Sequence, residues 1–273
     1  MIMSGSTICR RAAVVLPLLA VVPLSDAFAT ISVSVLPPIL DLSVPPGGRR
    51  ELALTIKNLG SSRVDVQPAV MDVMLEPTGA ALPVEPGKGA PSCAAWVSMD
   101  QSGFSLAPGQ SAVHDVVFEV PRGVAGGRYC VIVFEAREAE RSAPGPSLNI
   151  STRTGTIIME TASRRSRRGG EIVDIKTGRN GDHEVGIVAL FKNTGEIHLK
   201  IRPSCLVRNR EGRVIDRLSV DAGTGTVLPG GIRQISATWN NGRKMVPGSY
   251  RAEVAVDFTG GRRVTESVDF TID

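Results

Sequence analysis

Histidine, cysteine and paired carboxylates are the side chains from which most hydrolytic sites and metal centres are built, and this chain of 273 residues lacks the arrangements they need. Its three histidines, His114, His183 and His198, are far apart and fall on expected strands or turns. No CxxC, HxH or HExxH spacing places two ligands on one local frame. No GxSxG element presents a serine nucleophile, and no carboxylate pair stands out from ordinary strand-surface charge. Gly223-Thr224-Gly225 has neither a following helix nor a lysine, so it does not read as a phosphate cradle. The expectation is a protein that is not an enzyme and needs no cofactor or metal.

The cysteines speak instead of compartment. Residues 1–29 have the layout of a secretory signal: Arg10 and Arg11 form the basic start, residues 12–24 the apolar stretch, and Ala27-Phe28-Ala29 fits the small-x-small cleavage rule. Pro17 and Pro23 interrupt the apolar run, which is short for a membrane span. The arginine pair lacks the rest of a twin-arginine pattern, so a Sec-type signal and a periplasmic location are expected, with the cell surface as the alternative. Cys9 leaves with the signal; Cys93, Cys130 and Cys205 remain for an oxidising compartment. A bridge between Cys93 and Cys130 is the preferred pairing because both lie in one candidate domain. Three unpaired thiols are the alternative, since an odd count leaves at least one cysteine unmatched within the chain.

Charge excludes another class of function. Cleavage after Ala29 leaves 29 basic and 26 acidic residues, a net charge of +3. Four of the basic residues sit together in Arg164-Arg165-Ser166-Arg167-Arg168. A nucleic-acid surface needs cations spread over a face, with stacking aromatics where single strands bind. With aromatics at 4% and the excess in one cluster, no nucleic-acid partner is expected. No apolar run long enough to span a bilayer follows the N-terminal segment.

The elements that position these residues are strands. From Thr30 onward, short β-branched runs in period-two alternation are separated by Pro, Gly and Asn turns. Strands are expected at residues 31–35, 51–56, 64–74, 94–99, 112–120, 128–136 and 148–159, and any helix should be a single turn. A repeat runs through the chain. Lys57-Asn58-Leu59-Gly60 returns as Lys192-Asn193-Thr194-Gly195, Leu106-Ala107-Pro108-Gly109 as Val227-Leu228-Pro229-Gly230, and Gly126-Gly127-Arg128-Tyr129 as Pro247-Gly248-Ser249-Tyr250. The second and third landmarks are equally spaced in both copies. The first copy is longer by roughly fourteen residues, assigned to the Pro-rich loop at residues 76–92. All-β architecture with two tandem immunoglobulin-like sandwiches follows: signal 1–29, first domain 30–160, linker 161–170, second domain 171–273. Tyr129 and Tyr250 are expected as tyrosine corners, and Trp96 and Trp239 as core residues.

The first copy resembles the N-terminal domain of periplasmic pilus-assembly chaperones, the PapD-like group. The resemblance is carried by an N-terminal strand pair through residues 31–44, the Lys57-Asn58 strand end, Trp96-Val97, residues 104–111 (FSLAPGQS), Val120-Pro121 and residues 148–159 (LNISTRTGTIIM). It extends over about residues 31–160. The two-domain arrangement is also similar to exported WxL-interacting surface proteins of Gram-positive bacteria, although those end in a membrane segment that is missing here. The chaperone resemblance implies β-strand addition, in which the last strand of the first domain pairs with an incomplete subunit fold. On that strand Leu148, Ile150, Thr152, Thr154, Thr156 and Ile158 share one face. The basic positions with which the family grips a subunit's terminal carboxylate fall here at Pro37 and Gly155, which carry no cation. Arg153, on the same face as Gly155, is the expected replacement. The resemblance thus implies a periplasmic chaperone-like protein whose partner is an exported pilin-like or surface-protein subunit; a structural or adhesive component of a surface assembly is the alternative.

Overall fold

The computed structural model describes residues 31–139, 150–162, 166–181, 183–240 and 246–273. The expected signal segment and Leu148 lie outside the described residues.

Among the described residues nineteen strands run in chain order. The first ten are β1 (Val33–Leu36), β2 (Ile39–Leu42), β3 (Arg49–Asn58), β4 (Val64–Leu75), β5 (Ala81–Val84), β6 (Val97–Met99), β7 (Phe104–Leu106), β8 (Ser111–Glu119), β9 (Gly127–Glu138) and β10 (Ser151–Thr161). The remaining nine are β11 (Gly170–Asn180), β12 (Glu184–Asn193), β13 (Leu199–Asn209), β14 (Val214–Leu218), β15 (Val220–Asp221), β16 (Thr226–Val227), β17 (Ile232–Asn240), β18 (Gly248–Phe258) and β19 (Arg262–Ile272). Period-two alternation decides which face each strand buries. In β3, Leu54, Ile56 and Asn58 point inward between exposed Ala53, Thr55 and Lys57; in β12, Val185, Ile187, Ala189 and Phe191 do the same.

Strand order shows that the two halves share one plan. The first half packs the sheet β1-β3-β8-β6 against β2-β10-β9-β4-β5, with β7 on β4. The second packs β11-β12-β17-β15 against β14-β13-β18-β19, with β16 on β13. Every strand of the second half has its counterpart in the first; β2 alone has none. Each half closes around its own apolar core, one including Leu54, Phe118, Ile132, Phe134 and Ile158, the other Phe191, Leu199, Val254 and Trp239. The chain is therefore two immunoglobulin-like β-sandwiches in tandem.

The repeated landmarks meet in space. Asn58, fully buried, donates through Nδ2 to the carbonyls of Ser62 (2.7 Å) and Leu106 (3.1 Å), and its Oδ1 accepts the Gly60 N–H (2.9 Å). Asn193 repeats this with Ile197 (2.9 Å), Val227 (2.8 Å) and Gly195 (2.8 Å). Both Asn carbonyls accept the N–H of the Pro-Gly turn's glycine, Gly109 at 3.0 Å and Gly230 at 2.9 Å. An asparagine side chain is needed because it is both donor and acceptor, and each buried group it meets would otherwise lack a partner.

Three details differ from expectation. Residues 76–92 hold a strand, β5, paired with β4; the surplus of the first copy lies after it, with twelve residues between β5 and β6 but one between β14 and β15. Residues 94–96 form a single 3-10 turn before β6, and Trp96 is half-buried beside Phe118 rather than fully enclosed like Trp239. Tyr250 is a tyrosine corner, its hydroxyl donating to the carbonyl of Val246 at 2.7 Å, but Tyr129 is not.

Tyr129 holds the joint between the sandwiches. Its hydroxyl accepts the backbone N–H of His198 at 2.7 Å, and its ring meets the imidazole edge-on. Around it, Val73, Val131, Val133 and Met159 pack on Leu228 of the second sandwich. The Gly127 N–H donates to Glu196 O, and Gln234 N–H to Pro77 O at the tip of the β4–β5 hairpin. Gly127 is required beneath the tyrosine, because a Cβ there would collide with the hydroxyl. Tyr129→Phe leaves the buried His198 N–H without its acceptor and is expected to lower stability by roughly 1–3 kcal/mol. Tyr250→Phe loses an exposed bond and should cost less than about 1 kcal/mol. Equal losses in denaturant unfolding would contradict these assignments.

Candidate strand-capture edge

β10 lies against β9 along its whole length, Ser151 opposite Arg137 through Thr161 opposite Gly127, with no register break. Its other side is divided. Residues 157–160 pair in parallel with residues 39–42 of β2, beginning with Ile157 N–H donating to Pro38 O at 3.0 Å. In an antiparallel ladder the polar groups of alternate residues point to opposite sides. Since Ile157 points away from β9, so do Gly155, Arg153 and Ser151. Among the described residues no strand covers that side, so the N–H and C=O of these three residues form an open pairing edge about six residues long.

Sequence and packing together position this edge. Thr156 Oγ1 donates to Pro37 O at 2.7 Å and closes the point where β2 takes over. Gly155 has no side chain because a Cβ there would meet the Ile132 carbonyl, so the residue lets β10 lie close to β9. Thr152 and Thr154 are half-buried, and Ile150 is exposed at the open end. Ile158 lies in the first sandwich's own core and is flanked by strands on both sides. Leu36 of β1 and Ile39 of β2 are exposed where the covered half begins. Exposed apolar side chains thus stand at both ends of the open half.

Arg153 projects from the open half with its side chain 61% exposed, and its Nε lies 2.9 Å from Glu135 Oε2. Arg137 binds the other oxygen of the same carboxylate at 2.6 Å. The two guanidiniums, Arg137 foremost, hold the Glu135 carboxyl below its usual range. Pro37 and Gly155 supply no cation, and the alternating pattern places Arg153 on the same face as Gly155.

The corresponding edges of the second sandwich are guarded. β19, the counterpart of β10, carries Arg262, Arg263, Glu266 and Asp269, with Arg263 paired to Asp257 and Arg251 to Asp269, both at 2.6 Å. β11 carries Glu171, Asp174, Lys176 and Arg179, and a bulge breaks its register between Ile172 and Asp174. Charges and bulges are the devices by which proteins block edge-to-edge pairing. The open half of β10, with Ser151, Thr152, Thr154, Gly155 and Thr156, has Arg153 as its one charge.

Nothing comparable gathers the titratable groups into a reaction centre. His114 bonds Asp100 O at 2.7 Å beside Phe104, while His198 is enclosed in the joint near Asp41, where burial lowers its pKa. Glu160 is buried with Oε1 accepting the Val44 N–H at 2.9 Å, and burial raises its pKa. Among the described residues no group of three His, Cys, Asp or Glu side chains is placed to hold a metal ion, and no helix is long and apolar enough to cross a membrane. Cys93 and Cys130, both fully buried, bring their sulfurs to 2.7 Å as unlinked thiols; Cys205 is buried in the other core. The N-terminal strand pair expected through residues 31–44 is present as β1 and β2; what sequence reasoning missed is that β2 covers residues 157–160 of β10, because alternation marks a strand's faces and not its neighbours.

These features define a protein of two tandem sandwiches in which the first half of β10 has an open pairing edge among the described residues. No protein-family model matches the chain, and no curated protein matches it. Among solved structures it is similar to the class 5 fimbriae chaperone CfaA, at 12% identity over 88% of this chain and 98% of that one, with a TM-score of 0.40. It is similar to the E. coli chaperone DraB at 11% identity, covering 89% and 98% of the two chains with a TM-score of 0.42. A chain of the Salmonella enterica complex of SafA pilin with the SafB chaperone gives 13% identity, 89% and 97% coverage and a TM-score of 0.42.

Proposed function

We propose that the chain is an exported, non-enzymatic chaperone-like protein of the periplasm that captures an extended segment of a pilin-like or surface-protein subunit along the open half of β10. The observation that carries this reading is the asymmetry of edges: the equivalent strand of the second sandwich is guarded by charge, and the open half of β10 is not. Backbone pairing would supply affinity, and the alternating side chains would supply register. Ile150, Thr152 and Thr154 make the face offered to the partner, and Arg153 stands ready to meet a carboxylate in bidentate fashion.

Fractionation of the protein expressed with its own N-terminus tests this. The expected result is a soluble one-to-one complex with an unassembled exported subunit. Recovery in the envelope or in a surface polymer would instead make the chain a structural or adhesive component. Arg153→Ala in the same complex should weaken capture; if affinity is unchanged, the cation does not act as an anchor, whatever the backbone contributes.

A further inference from the structure

We infer that Cys93 and Cys130 become a disulfide in the mature protein, a cross-link between the two sheets of the first sandwich, while Cys205 stays a thiol. The inference rests on the reading that the chain is exported to an oxidising compartment.

Cys93 belongs to the twelve residues between β5 and β6 that the second sandwich does not have. An inserted loop of this length is expected to be mobile unless it is tied down, and this one is tied at several points. Asp72 in β4, almost fully buried, accepts the Gly87 N–H at 2.7 Å through one oxygen and the Ser92 hydroxyl through the other. Ser92 forms a parallel bridge to Tyr129, with Tyr129 N–H donating to Pro91 O at 2.8 Å and Cys93 N–H to Tyr129 O at 3.2 Å. The backbone therefore places Cys93 beside Cys130, the next residue of β9. Both side chains enter the core, where the sulfurs lie 2.7 Å apart, well inside ordinary non-bonded contact. Cys93 leads through the 3-10 turn into β6 of one sheet, and Cys130 lies in the middle of the other. The bond would close a loop across 37 residues.

The chemistry balances with a disulfide oxidant such as oxidised glutathione. The two thiols lose two protons and two electrons to form one S–S bond, and the oxidant's disulfide takes them up and leaves as two thiols. Both cysteines are fully buried in the folded chain, so the exchange has to take place while the chain folds. Among the described residues Cys205 is a free, buried cysteine, and burial pushes its thiol up to about 11, which keeps it unreactive.

The test refolds residues 30–273 from denaturant in a glutathione redox buffer, alkylates under denaturing conditions and measures intact mass. One alkylated cysteine is expected, against three in the reduced chain, and with the alkyl groups subtracted the oxidised chain should be lighter by about 2 Da. Cys205→Ala should leave no alkylated cysteine, and Cys130→Ala should leave two. Reduction should lower the unfolding midpoint of the first sandwich by roughly 10 °C. Three alkylated cysteines in the refolded wild-type protein would overturn the inference. Pairing in the refolded chain, with Cys93, Cys130 and Cys205 all free and residues 1–29 retained in protein expressed from its own N-terminus, would support the disulfide and overturn the export reading instead.

Discussion

Arg153→Pro is expected to weaken capture of the subunit about 100-fold while leaving the first sandwich folded, whereas Thr154→Pro is expected to destabilise the sandwich itself. The two positions are adjacent in one polar run, so sequence alone predicts no difference. The ladder does. The Arg153 N–H points away from β9 toward the open side, as does that of Ile157, which reaches Pro38. Proline there removes a donor that no described strand uses and puts a ring where a partner strand would lie, while edge strands tolerate the residue. The Thr154 N–H points at β9 opposite Phe134, in the middle of the sheet. Its loss leaves a buried carbonyl unpaired, and the proline ring crowds the neighbouring strand, together costing roughly 2 kcal/mol or more. Binding of the co-purified subunit to Arg153→Pro should fall on the order of 100-fold, about 2.7 kcal/mol. Arg153→Ala, which keeps the N–H, separates the lost charge from the lost backbone donor. Undiminished binding by Arg153→Pro with an intact thermal transition would remove β10 as the docking edge.

The second large effect is expected from the paired asparagines. Asn193→Ala removes three hydrogen bonds at once and leaves the part-buried Gly195 N–H and the carbonyls of Ile197 and Val227, where the bonds are buried, to find other partners. At about 1 kcal/mol or more for each unsatisfied group, a loss of roughly 3 kcal/mol is expected in denaturant unfolding. Asn58→Ala should cost about as much, because Ser62, Leu106 and Gly60 occupy the same places in the first sandwich. Asn193→Asp adds a pH test. An ionised carboxylate can accept the Gly195 N–H but faces two carbonyls, so its folded pKa should rise above the unfolded value of about 3.9. The folded variant then binds a proton more tightly than the unfolded chain, and its stability falls as pH rises through the folded pKa. It should therefore be less damaged at pH 4 than at pH 7. A pH-independent loss would place these oxygens in water.

The same asparagines show which parts of the fold can be read without coordinates. Lys-Asn-x-Gly and the Pro-Gly turns recur in sequence because their partners are local: Asn58 closes on Gly60 and Ser62, and Asn193 on Gly195 and Ile197. Turn chemistry of that kind is written in a few adjacent residues. Tyr129 looks equivalent to Tyr250 by the same signs, yet its hydroxyl bonds a residue 69 positions away in the other sandwich. No local pattern holds that information. β5 was hidden by Pro83 and its four-residue length, and β7 by its three. At the candidate edge, the face shared by Ile150, Thr152 and Thr154 was legible from alternation. The boundary at residue 157, where cover by β2 begins, depends on a strand 118 residues earlier and was not.

That boundary has a consequence for how a subunit would be read. A visiting strand can advance along β10 only until it reaches the occupied site at Ile157, so β2 acts as an end-stop, and the accessible track is a ruler about 20 Å long. Slippage by a single residue would turn every side chain of the visitor to the opposite face. A fixed stop removes that ambiguity from one end and makes the distance between a subunit's terminus and its first anchoring side chain, rather than the overall composition of its segment, the quantity this protein would measure.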